Sequence, residues 1–184
     1  MELIGPYLVA CLLLVAAGAA KAVHPGDTAR AVADTVPLPV AVLAPLVRTG
    51  AAAEAVVGVA GLAYPSAWTA GLVALSYTAF AAFVTLVLVR GGPLASCGCF
   101  GTPDTPATRL HVAVDLVLAA SALSMAVAAP SRWLPALLAD QPWHGVPLVL
   151  ASVLGAWLCV LVLGRLAELG AARRLLGITR GPVG

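Results

Sequence analysis

Long apolar stretches separated by short polar ones dominate this chain, and five of them approach the roughly 20 residues that a helix needs to cross the hydrocarbon core of a bilayer. They fall at residues 3–20, 38–63, 68–89, 110–129 and 146–164. The third runs for 22 residues without a charge, which no half-exposed helix of a soluble domain would do. The second is broken by Pro37, Pro39 and Pro45, carries Glu54, and predicts a long kinked helix. Tyr64-Pro65-Ser66 joins the second stretch to the third so tightly that the two must be antiparallel neighbours. Between the first two, the polar run 24–34 opens with Pro25, Gly26 and Asp27 and predicts a short surface helix. The first stretch is preceded by Glu2 rather than by a positive cluster, so it reads as a retained helix and not as a cleaved signal peptide.

Composition agrees with the pattern. Of 184 residues, 61% are hydrophobic and 10% charged, and the mean hydropathy is +1.03. This describes an all-α integral membrane protein, a bundle of about five transmembrane helices with no soluble catalytic domain left over. The expected organisation is one membrane domain, 1–166, and a basic tail, 167–184, in which Arg173, Arg174 and Arg180 anchor the last helix to anionic lipid. A net charge of +2 gives no basic field suited to nucleic acid; the partner implied is the bilayer. Arginine outnumbers lysine nine to one in an alanine- and valine-rich chain, the signature of a GC-rich bacterial genome.

Five spans divide the charges unequally. One side holds Lys21, Arg30, Arg48, Arg90, Arg109, Arg165, Arg173, Arg174 and Arg180, and the other only Arg132. The charge rule places the richer side in the cytoplasm of a bacterial cell whose inner membrane the protein spans. Tyr7, Tyr64, Trp68, Trp133 and Trp143 then gather near the outer interface, where amphipathic rings prefer to sit.

The chemistry stands out against this background. Cys97-Gly98-Cys99-Phe100-Gly101 lies in the loop between the third and fourth spans, on the charge-rich side. Two cysteines one residue apart can close a strained, easily reduced disulfide ring or clamp a soft ion such as Cu(I) or Hg(II), and Gly98 permits the tight backbone that either needs. Arg90, Arg109 and His111 nearby favour the thiolate, the attacking form. A reducing cytoplasm suits a cycling redox or metal site better than a permanent disulfide, so the charge count and a structural disulfide pull in opposite directions. Cys11 and Cys159 lie inside spans and read as small apolar side chains.

Intramembrane carboxylates are costly unless paired or facing a wet cavity, which singles out Glu54 and Asp115. His111 and Asp115 are four residues apart on one helix face, so the aspartate can orient the imidazole, and the two together can handle the protons that thiol oxidation releases. The plainer alternatives are that Lys21 and His111 snorkel to the interface and that Glu54 pairs with Arg48.

The span pattern, Gly18-Ala19-Ala20-Lys21 closing the first helix, Glu54 in the second and Cys97-Gly98-Cys99-Phe100-Gly101 before the fourth resemble the methylamine utilisation protein MauE family, which is related to the DoxX-like redox-associated membrane proteins. The resemblance implies a DoxX-like four-helix core plus one helix, and thiol-disulfide exchange or electron transfer that supports maturation of an extracytoplasmic enzyme. In the family that enzyme is periplasmic methylamine dehydrogenase, and the companion is a thioredoxin-like redox partner. Cys97 and Cys99 carry over as the redox dithiol, and Lys21 and Glu54 as matching positions without an assigned role. Nothing specific to a quinone or another cofactor is visible in the sequence. Three readings stay open: a thiol-disulfide oxidoreductase accessory, a soft-metal transporter or metallochaperone, and a non-catalytic membrane assembly factor.

Overall fold

The computed structural model describes residues 4–33, 36–90, 108–128 and 134–179, with side chains up to Arg165 except at 137 and 142. Helix α1 is Ile4–Val23, α2 Pro25–Ala33, α3 Val40–Ala63, α4 Ala67–Arg90, α5 Arg109–Ala128, α6 Leu134–Ala139 and α7 Val146–Thr179, with a 3-10 turn at Pro142–Gly145. Five helices are long and apolar enough to cross a membrane, and no strand occurs among the described residues. The fold is the all-α bundle that the apolar stretches predict.

Helix α1 is the central element, with half of its apolar window buried, and it touches α3, α5 and α7 as well as α2 and α4. Its core face carries Ile4, Tyr7, Leu8, Cys11 and Leu14, spaced three or four residues apart as one stripe of a helix must be. The most extensive contacts are α1 on α3 and α4 on α5, whereas α3 and α4 touch over only a short stretch. Two buried hydroxyls fasten α1 to its neighbours: Tyr77 of α4 donates to the Ala10 carbonyl at 2.7 Å, and Tyr7 donates to the Gly61 carbonyl of α3 at 3.4 Å.

Glycine sets the approach of α1 to α3. A Cβ on Gly18 would lie 2.7 Å from the Ala51 carbonyl oxygen, and one on Gly58 would lie 2.9 Å from the Cys11 carbonyl oxygen. Backbones this close are the membrane solution to packing without a hydrophobic driving force. Next to Ala51, on a face turned away from this contact, Gly50 meets open space.

The turn between α3 and α4 is held by Ser66 and Thr69. The Thr69 amide donates to Ser66 Oγ at 3.2 Å, the Ser66 amide donates to Thr69 Oγ1 at 2.9 Å, and Thr69 Oγ1 donates to the Tyr64 carbonyl at 2.9 Å. This reciprocal cap satisfies the first amides of α4 and fixes where it starts. Yet α3 then follows α1 and α4 follows α5, so the two helices diverge from a common corner.

Two local features go beyond the sequence pattern. Beyond Gly164 the backbone stays helical to Thr179, so the basic segment there continues α7. Before α7, Trp143, His144 and Gly145 all have positive φ, at 55°, 50° and 74°. Three left-handed residues in a row reverse the chain sharply into the last span, at a steric cost that only Gly145 escapes.

Candidate functional site

The polar residues of the bundle collect at the end where α1, α4 and their connections to α2 and α5 lie. Side chains on a helix tilt toward its amino end. Lys21, near the close of α1, therefore reaches back into the bundle, and Glu54 on antiparallel α3 reaches down to meet it. The glycine contact of Gly18 with Ala51 and Ala55, one turn away on each helix, sets the register of the meeting. Lys21 Nζ and Glu54 Oε2 are 2.5 Å apart. Lys21 is only 6% exposed, whereas the Glu54 side chain keeps 22%. The ammonium also stands over the Phe80 ring, 4.4 Å from its centroid, and Phe80 packs edge-on against Tyr77. A desolvated cation over an aromatic face gains on the order of 2 kcal/mol, which offsets part of the cost of burial.

Two of the plainer expectations fail here. Lys21 does not snorkel outward; its charge is neutralised inside the protein. Glu54 pairs with Lys21, 33 residues away, and not with the exposed Arg48. The reason is register: the face that carries Glu54 is the one Gly18 presses against, and an arginine six residues earlier lies elsewhere on the turn.

His111 is also drawn inward, to 3% exposure, and so does not snorkel either. Its Nδ1 lies 2.9 Å from Thr108 Oγ1 at the start of α5. Thr108 thus holds the ring from just ahead of α5, and Asp115 lines the same small cavity as His111. Nε2 is buried with no hydrogen-bond partner among the described residues. An imidazole nitrogen in that position calls for a water or a ligand.

Lys21 and Phe80 separate two cavities. The larger, about 190 Å³, is walled by Val32 and Thr28 of α2, Val47, Gly50, Ala51 and Glu54 of α3, and Phe80, Phe83 and Val84 of α4. The smaller, about 40 Å³, is lined by His111 and Asp115 of α5, Tyr77, Leu163 of α7 and the inner side of Lys21. It has room for water, which needs roughly 15 Å³ of this kind of space and two or more polar neighbours. The structure thus gathers Lys21, Glu54, His111 and Asp115 around one ion pair. Cys97 and Cys99 lie outside the described residues, in the segment that connects α4 to α5. Arg90 and Arg109 are exposed at the helix ends flanking it. Cys11 is in the core near Tyr7 and Gly61, about 15 Å of helix rise from Lys21, and Cys159 is half-buried on α7. No cluster of three or more metal-binding side chains occurs among the described residues.

Sequence reasoning missed Phe80 and Thr108. A signal for Phe80 was present: of three phenylalanines in the chain, one sits in the cysteine run, and the other two, Phe80 and Phe83, line the larger cavity.

Five apolar helices with a buried lysine-glutamate pair define a multi-pass helical membrane protein with a polar interior site. Residues 2–130, which carry α1 to α5 and every residue of the ion-pair site, match the family described as Methylamine utilisation protein MauE. The chain belongs to the MauE family of methylamine-utilisation-associated membrane proteins. No curated protein and no solved structure matches it.

Proposed function

We propose that this protein supports thiol-disulfide exchange or electron transfer for maturation of an extracytoplasmic enzyme, with Cys97 and Cys99 as the exchanging dithiol and a thioredoxin-like protein as partner. The reading is supported by one observation above all: Lys21, Glu54, His111 and Asp115 converge at the bundle end to which the cysteine segment is tethered through Arg90 and Arg109. Closing a dithiol to a disulfide releases two electrons and two protons. A buried imidazole with one unpartnered nitrogen, beside a carboxylate and a neutralised ammonium, is a proton-handling arrangement. His111 and Asp115 take that part, and Lys21 with Glu54 holds the local charge at zero. The charge count puts this end of the bundle in the cytoplasm of the inner membrane, with the client enzyme on the other side.

Differential alkylation in intact cells tests both parts, using a membrane-impermeant thiol reagent before and after reduction with mass readout at Cys97 and Cys99. Protection of both cysteines in intact cells is expected, with labelling after lysis that depends on reductant and changes as the partner is deleted or restored; labelling from outside would reverse the orientation. Free thiols that never oxidise, and that instead retain a soft metal ion at fixed stoichiometry, would replace this reading with metal carriage. Full complementation by a Cys97→Ser, Cys99→Ser variant would leave a non-catalytic assembly factor.

A further inference from the structure

The larger cavity has the composition of a ligand site. Its walls are branched aliphatic and aromatic, and its few polar groups, Lys21, Glu54 and Thr28, converge on one side. Because the lysine and glutamate already neutralise each other at 2.5 Å, the site offers no net charge, and a charged ligand would have to break a buried pair. It suits a neutral, flat ring with an oxygen to accept from the ammonium. Size narrows the choice: an apolar cavity of about 150 Å³ is known to take benzene, so 190 Å³ holds one substituted six-membered ring. The opening narrows it again. The cavity sits where α3 and α4 have diverged from their shared corner, beside Gly50, whose missing side chain leaves open space. A ligand would enter from the lipid side and could leave a tail there.

We propose that the cavity between α2, α3 and α4 binds the headgroup of a membrane quinone, with a ring carbonyl toward Lys21 Nζ and the ring against the aromatic and valine wall that includes Phe83. The proposal rests on the redox reading for its purpose, since a dithiol needs an acceptor: dithiol and quinone give disulfide and quinol, two electrons and two protons passing from sulfur to the ring oxygens. The second cavity supplies an independent observation. His111, whose Nε2 is buried without a partner among the described residues, lines a cavity that also borders the same lysine and has room for a water to pass protons.

The test uses the full-length protein in detergent and a short-tailed 1,4-benzoquinone, with binding read by calorimetry and by crosslinking of an azido derivative mapped by mass spectrometry. Saturable binding is expected, with crosslinks on the α3 and α4 segments that line the cavity. Gly50→Leu should weaken it at least tenfold while melting no lower than the parent, because Gly50 lines the cavity and a Cβ there meets nothing within 4 Å. Lys21→Met should cost about tenfold, the worth of one charge-assisted hydrogen bond. The Cys97→Ser, Cys99→Ser variant should bind unchanged yet form no quinol. Binding by parent and variant alike, with quinol formed by neither, leaves the site standing and removes the redox reading. No saturable binding, binding that Gly50→Leu leaves unchanged, or crosslinks lost when phospholipid replaces detergent would overturn the site; the last would make it a seat for an acyl chain.

Discussion

The two ends of helix α3 solve opposite problems. Toward Ala63 it lies against α1 with almost nothing between the backbones: Gly58 meets Val15 and the Cys11 carbonyl, and Gly61 meets Cys11 Sγ and the Tyr7 hydroxyl. From its middle toward Val40 it parts from α4, and there Gly50, beside the Ala51 that Gly18 touches, borders a cavity that holds the ammonium of a buried lysine in its wall. One glycine is there because nothing else fits, the other where much else would. The difference shows how an apolar bundle keeps charges inside: the closed end supplies the packing energy and fixes the register, and the open end, held in place by it, can carry groups that would not assemble unaided.

That division is open to attack by substitution. The largest effect is expected from Lys21→Met, which strands Glu54 beside an apolar wall. Removing one partner of a buried pair costs about 3–5 kcal/mol, and the residual exposure of Glu54 brings this toward the lower value. The double variant Lys21→Met, Glu54→Leu should be more stable than Lys21→Met alone. Thermal unfolding in detergent reads both, and a double variant worse than the single would mean the pair is not a unit. Next comes Gly58→Ala, whose Cβ would sit 2.7 Å from Val15 Cγ2 and 2.9 Å from a carbonyl oxygen. Overpacking of this kind costs about 1–3 kcal/mol, seen as a lower melting temperature and a smaller monodisperse fraction. Tyr77→Phe removes the hydroxyl that holds α4 to the Ala10 carbonyl and should cost about 1 kcal/mol. The smallest change, Gly50→Ala, should reverse the sign. With open space at that position the alanine stabilises by about 0.5–1 kcal/mol through helix propensity alone. If Gly50→Ala and Gly58→Ala shift the melting temperature in the same direction, the contrast between the two ends is wrong.

The five helices were legible because a membrane demands of a span only length and freedom from charge, and residues 68–89 or 146–164 satisfy both without reference to any neighbour. Even the surface helix at Pro25–Ala33 announced itself through the proline and aspartate of its first turn. The site was legible in its members and not in its pairings. Glu54 drew notice as a charge where charges are expensive, and Lys21 as the residue that closes the first helix. That they meet follows from which faces of α1 and α3 the glycines bring together, a tertiary fact that no local spacing encodes. His111 shows the same limit: its hydrogen bond to Thr108 and its burial among residues of α1 and α4 were not legible in the spacing along α5.

The corner at Tyr64–Thr69 has a mechanical consequence. Capped by its own hydroxyls, it acts as the pivot of two long arms, and the level of Phe83 lies roughly 25 Å along one arm from it. A rotation of about 5° at the pivot moves that level by about 2 Å, enough to widen or close a slot one ring thick. The gape of the cavity is thus tied to an angle at the far, glycine-packed end of α3, so a substitution at the corner would be felt at the cavity enlarged by the length of the arm.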